Sequence, residues 1–145
     1  MPRSDVVVLD TDAWSHLYTT RRREHPEVPL WRHLLTGRLV VIATQTRAEV
    51  LTGLMRHVMS PARERSIRAV LTATATAEVG EPVVEAYVRL TAEARDRGHG
   101  ICDKSHTGDR WVAATAIALD APLLAVDGIY RNAPGLTLLW QEDDG

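Results

Sequence analysis

Three short runs of continuous apolar residues, Val6 to Leu9, Leu39 to Ala43 and Leu123 to Val126, are separated from one another by sequence of helical periodicity. A strand that is apolar at every position must be covered on both faces, and strands alternating with helices build a parallel sheet. The expected fold class is therefore α/β, as one three-layer domain over residues 1–145. Its central sheet should be mostly parallel, with four to five strands and helices on both faces. A chain of 145 residues buries roughly 68–70% of the surface it exposes unfolded, so its core needs no crosslink. The one cysteine, Cys102, leaves no internal disulfide and suits a reducing compartment.

The remaining elements follow from spacing. Ala13, Trp14, Leu17 and Tyr18 recur at helical intervals, and Thr19 to Pro29 is polar and proline-bearing, a loop. A short helix around Leu30 to Thr36 stops at Gly37. Thr46 to Met59 forms a long amphipathic helix, and after Pro61 another runs to Thr72. Ala75 to Val79 makes a weak strand, Val83 onward a helix ending near Gly98, and His99 to Gly108 a polar loop. Asp109 opens an alanine-rich helix to Leu119, and Leu136 to Leu139 is the last strand.

The longest nearly apolar run, Trp111 to Leu119, is about half of what a bilayer requires. The amino-terminal segment lacks the long apolar stretch of a secretory signal. A cytoplasmic protein is expected, with no membrane association. The net charge of −2 gives no generic nucleic-acid footprint, although Arg21, Arg22 and Arg23 could form a local phosphate patch or simply a solvated helix end.

Ligands in open parallel sheets bind beyond the carboxyl ends of the strands. Asp10 directly follows the first strand and Asp127 the strand Leu123 to Val126. Asp109 begins the helix leading into that strand, and Glu49 lies early in the helix after the second strand. All four can meet on one rim. Gathered carboxylates repel one another unless a cation neutralises them, and hard oxygen donors suit Mg²⁺ or Mn²⁺, which can activate water for phosphodiester hydrolysis. Each acid also has an ordinary role: Asp10 and Asp109 as helix caps, Asp127-Gly128 as a turn, Thr46-x-x-Glu49 as a capping box. Capping alone gives no reason for all four to share an edge. Gly53, one turn beyond Glu49, would leave room beside its carboxylate.

The segments VVVLDTDAWSHL, TQTRAEVLTG and GDRWVAATAIALDAPLLAVDGIY resemble, in order, the signature segments of PIN-domain ribonucleases, most closely the VapC-type toxins of toxin–antitoxin modules. The resemblance implies Asp10, Glu49, Asp109 and Asp127 as the catalytic acids holding one or two Mg²⁺ or Mn²⁺ ions for endoribonucleolytic cleavage of RNA, with Thr11 in the hydrogen-bond shell. It further implies a small cognate antitoxin and a homodimer. Asp12 departs from the commoner asparagine, and Ser60 to Gly98 matches only in helical character.

Other constellations compete. A degenerate PIN-like domain would serve as an RNA-binding or protein-interaction module. Asp10-Thr11-Asp12 also resembles the start of haloacid-dehalogenase-type phosphotransferases, which use an aspartate nucleophile and need a lysine; the only one is Lys104. His99, Cys102 and His106 could bind zinc but lack a fourth ligand and a common spacing. Trp14, Trp31, Trp111 and Trp140 could stack on bases or pack the core, and Trp111 is the best placed to line a substrate groove.

Overall fold

A computed structural model describes residues 5–19 and 23–142. It contains five strands, β1 (Val6–Leu9), β2 (Leu39–Ala43), β3 (Ala75–Ala77), β4 (Leu123–Leu124) and β5 (Leu138–Trp140). Six helices accompany them: α1 (Thr11–Tyr18), α2 (Val28–Leu35), α3 (Thr44–Arg56), α4 (Pro61–Ala73), α5 (Glu81–Arg97) and α6 (Thr107–Ala118). The strands form one sheet in the order β3-β2-β1-β4-β5, parallel at every pairing. The chain winds outward from β1 to β2 and β3, then returns to β1's other side through β4 and β5. The strand order thus reverses at the β1/β4 boundary, where such sheets leave a crevice.

Alternate residues of β1 serve opposite layers, as the pleat requires. Val7 and Leu9 pack with Trp14, Trp31, Ile42, Leu71 and Leu124 on one face, while Val8 packs with Leu90, Ile101, Val112, Ala113, Ala116 and Leu123 on the other. Each large side chain withdrawn from water contributes about 1.5–3 kcal/mol. Trp14 and Trp31 are fully buried, and the Trp14 indole N–H donates to the Thr74 hydroxyl at 3.1 Å. The core is their place. Gly37 (φ +78°) ends α2 and Gly98 (φ +68°) ends α5, both in the left-handed region that favours glycine.

Several expected boundaries move. α3 starts at Thr44 because β2 enters it without a loop: Ala43 is the cap position and makes no side-chain capping bond. The Thr46–Glu49 capping box is therefore not formed, and Thr46 is buried inside the helix. α6 starts at Thr107, so Asp109 sits in its first turn and is not its cap. The loop before it winds into two 3₁₀ turns, Gly100–Cys102 and Lys104–His106. β4 keeps only two residues and β5 is shifted to Leu138–Trp140. Arg21 and Arg22 of the arginine triplet lie outside the described residues. No helix among the described residues is long and apolar enough to cross a membrane.

Candidate active site

Asp10, Glu49, Asp109 and Asp127, which sequence position assigned to one rim, line a single pocket of about 100 Å³ together with Thr11, Asp12, Val112 and Tyr130. It opens at the carboxyl ends of β1 and β4. Five of these eight are acids, and among the described residues that line the pocket none is basic. Lys104, which a phosphoaspartate mechanism would need, is exposed and is not among the residues lining the pocket.

Each carboxylate is held by its own donors. Asp10, only 4% exposed, caps α1 through the Ala13 N–H on Oδ1 at 2.8 Å and accepts the Val126 N–H on Oδ2 at 3.3 Å. Burial pushes its pKa up to about 7, and the charges of Asp12 and Asp109 add to that, against the lowering effect of the two backbone bonds. Glu49 accepts the Thr11 hydroxyl on Oε2 at 2.7 Å and the Gln45 amide on Oε1 at 2.9 Å. Thr11 also lies 3.2 Å from the Thr46 hydroxyl. Asp109 receives the Tyr130 hydroxyl on Oδ1 at 3.1 Å and faces His106 Nδ1 from Oδ2 at 2.8 Å. Asp127 caps the 3₁₀ turn Gly128–Tyr130 by accepting the Ile129 N–H at 2.9 Å. Burial, followed by the charges of Asp109 and Asp10, raises the Tyr130 pKa, so its hydroxyl remains a donor.

α6 can come this close to α3 because residue 108 is glycine. A Cβ there would stand 3.0 Å from Gln45 Nε2 and 3.4 Å from Glu49 Oε1. Gly53, by contrast, has nothing within 4 Å of a built Cβ, so the close approach falls at Gly108 instead. Sequence reasoning missed Gln45, Gly108 and Tyr130. Local signals were present for two of them, since Gln45 stands four residues before Glu49 and Gly108 directly before Asp109, whereas Tyr130 meets Asp109 only through the fold.

The zinc constellation does not assemble. His99 accepts the Ile101 N–H on Nδ1 at 3.1 Å and donates from Nε2 to the Arg131 carbonyl at 2.7 Å, while His106 is engaged with Asp109. Trp111 stacks on Tyr87 (centroids 4.0 Å apart) and lines a groove of about 190 Å³ with Ala48, Val79 and Gln45.

The donor set suits a hard divalent cation. All the acids supply oxygen, the donor type preferred by Mg²⁺ and Mn²⁺. As the side chains stand, no three carboxylate, imidazole or thiol groups among the described residues converge tightly enough to clamp one ion. An ion bound by one or two carboxylates and otherwise by water fits that spacing.

Fold and pocket together define the class: an α/β domain that presents a cluster of carboxylates at the switch point of a parallel sheet. The PIN domain family model matches residues 7–136, and the chain belongs to that family, whose members are in general nucleases. Among solved structures, VapBC2 from Rickettsia felis bound to a promoter DNA fragment is similar with a TM-score of 0.74 at 18% identity, over 92% of this chain and 96% of that one. VapBC-1 from nontypeable Haemophilus influenzae gives 0.73 at 21% identity, over 94% and 97%. VapBC-5 from Mycobacterium tuberculosis, a member of the VapBC family of toxin–antitoxin systems, gives 0.65 at 18%, over 92% and 97%. At such identities the likeness is one of fold. No curated protein matches the sequence significantly.

Proposed function

We propose that the protein is an Mg²⁺- or Mn²⁺-dependent endoribonuclease, the toxin of a toxin–antitoxin pair, with Asp10, Glu49, Asp109 and Asp127 as its metal-binding and catalytic acids. The observation that carries this reading is the pocket itself: five acidic residues and, among the described residues that line it, no lysine or arginine. The toxin assignment draws on the fold shared with VapBC complexes.

A cation bound there would supply a water of lowered pKa and neutralise charge on the scissile phosphate. The chain's own groups do the rest. Asp10, locked by two backbone N–H groups, offers a carboxylate whose direction the fold sets. Glu49 and Asp109 face it from α3 and α6, each held by two donors. Thr11 fixes Glu49 from the first turn of α1, and Asp127 closes the rim beside Tyr130. Burial of Asp10 excludes water from one side of the pocket, which strengthens every charge interaction inside it.

The test is cleavage of RNA by purified protein in Mg²⁺ and in chelator, with RNA ends mapped after brief expression of the wild type beside Asp10→Asn. Metal-dependent ends absent from the variant support the reading. RNA binding without cleavage would instead support a degenerate binding module. The reading also takes the assembly to be a homodimer and the partner to be a small antitoxin that presents a basic side chain to the acids. A partner that binds equally well after all four acids are neutralised would exclude this mode of inhibition.

A further inference from the structure

We infer that His106 and Tyr130 are positioning residues for Asp109, holding its carboxylate in the orientation that meets a divalent cation and so setting the cation affinity of the pocket. The inference rests on the metal-nuclease reading and deepens it by two residues. Asp109 stands in the first turn of α6, half-exposed, where an unassisted carboxylate would rotate freely. Its two oxygens are instead taken separately, Oδ1 by the Tyr130 hydroxyl at 3.1 Å and Oδ2 by His106 Nδ1 at 2.8 Å. Two donors from different elements fix the carboxylate plane, and each oxygen keeps a further lone pair for another partner. Because a carboxylate only accepts, the His106 proton resides on Nδ1.

Both donors are themselves fixed. Tyr130 is 2% exposed and ends the same 3₁₀ turn that Asp127 caps, so one turn places two acids of the pocket. His106 sits on a loop clamped by the buried Arg110. That guanidinium donates to the carbonyls of Ile101 and Asp103, both at 2.7 Å, and to the Tyr87 hydroxyl at 3.0 Å. Its carbon lies 5.2 Å from the centre of the Tyr87 ring. His106 is thus braced from behind, as a group that orients a ligand must be. Partners of this kind commonly change metal affinity ten- to a hundredfold.

The test titrates Mn²⁺ into the purified full chain, with the free ion read by electron paramagnetic resonance and metal-free melting recorded alongside. Tyr130→Phe and His106→Ala are each expected to raise the Mn²⁺ Kd about ten- to a hundredfold. His106→Asn, which returns an N–H donor close to the Nδ1 position, should restore most of the affinity. A purely structural role predicts lower metal-free melting temperatures at unchanged Mn²⁺ affinity, or His106→Asn no better than His106→Ala. Either result overturns the inference. Tyr130→Phe keeps the buried ring, so it reads the hydroxyl even if His106→Ala folds poorly. Should the wild type bind Mn²⁺ no better than Asp10→Asn, the metal-nuclease reading itself falls, an outcome distinct from equal, tight binding by wild type and the two positioning variants.

Discussion

Asp10 and Asp127 are held by backbone N–H groups, whereas Glu49 and Asp109 are held by side chains. The first pair takes its orientation from the path of the chain, which any sequence adopting the fold supplies. The second pair depends on Thr11, Gln45, His106 and Tyr130, each of which must be encoded. One side of the pocket is therefore robust to changes in neighbouring residues, and the other is open to tuning by them.

Removing an acid outright should erase that distinction. Asp10→Asn and Asp109→Asn are both expected to abolish RNA cleavage, a loss of about a thousandfold or more, with the fold retained by circular dichroism. Near wild-type cleavage by either variant in Mg²⁺ would sink the assignment.

The next effect separates the buried, backbone-held acid from the rest through stability. The Asp10 pKa rises from 3.8 unfolded to about 7 folded. Between those values the folded protein holds a proton that the unfolded chain releases. The stabilisation is full below about pH 4 and is lost as pH rises through about 7. In chelator, the wild-type melting temperature should therefore fall between pH 5 and pH 8 by several degrees more than that of Asp10→Asn. The comparison is of slopes, because the asparagine amide faces the Val126 N–H and shifts the whole curve. Parallel slopes would show that Asp10 is ionised throughout.

On the side-chain-held side, Gly108→Ala should split stability from activity. Alanine favours the helix by up to about 1 kcal/mol, but its Cβ would stand 3.0 Å from the Gln45 amide, which must then shift against Glu49. Melting temperature should hold or rise while cleavage slows about tenfold. An unchanged rate would show that Gln45 does nothing for Glu49.

The smallest effect belongs to Asp12, which is exposed in the first turn of α1. Asp12→Asn should slow cleavage by less than about tenfold, under roughly 1.4 kcal/mol of barrier. An aspartate-nucleophile mechanism would need Asp12 as acid/base, and its loss would then cost about a hundred- to ten-thousandfold.

The strands were the most legible part of the sequence. β1 and β2 match their expected limits, because a run apolar at every position and followed by a polar residue has few alternatives. The shared rim was legible for Asp10 and Asp127 from strand ends, and for Glu49 and Asp109 from the starts of the helices that carry them. The Thr46-x-x-Glu49 pattern misled because a capping box is a local motif, and nothing local says that β2 would run straight into a helix. Asp109 was misread as a cap for the mirror reason: the helix takes in Thr107 and Gly108, two residues with no apolar period. Tyr130 was invisible as a site residue because its role depends on tertiary placement. Tyr130 meets Asp109 across 21 positions of chain, which no spacing rule spans. His106 attracted attention only as a metal ligand, since a sequence shows which residues could coordinate but not which way they face.

The bond from Val126 N–H to Asp10 joins residues 116 positions apart. During synthesis the chain grows at about 5–20 residues per second, so roughly 6–23 s separate the appearance of these two residues. For almost all of that interval β4 has not been made, the crevice has only one wall, and Asp10 lacks its second backbone donor. The acidic pocket therefore cannot be completed until almost all of the domain has been synthesised. Strand order thus sets when the site forms, and a circular permutant that brought β4 and β1 out together would let it form early.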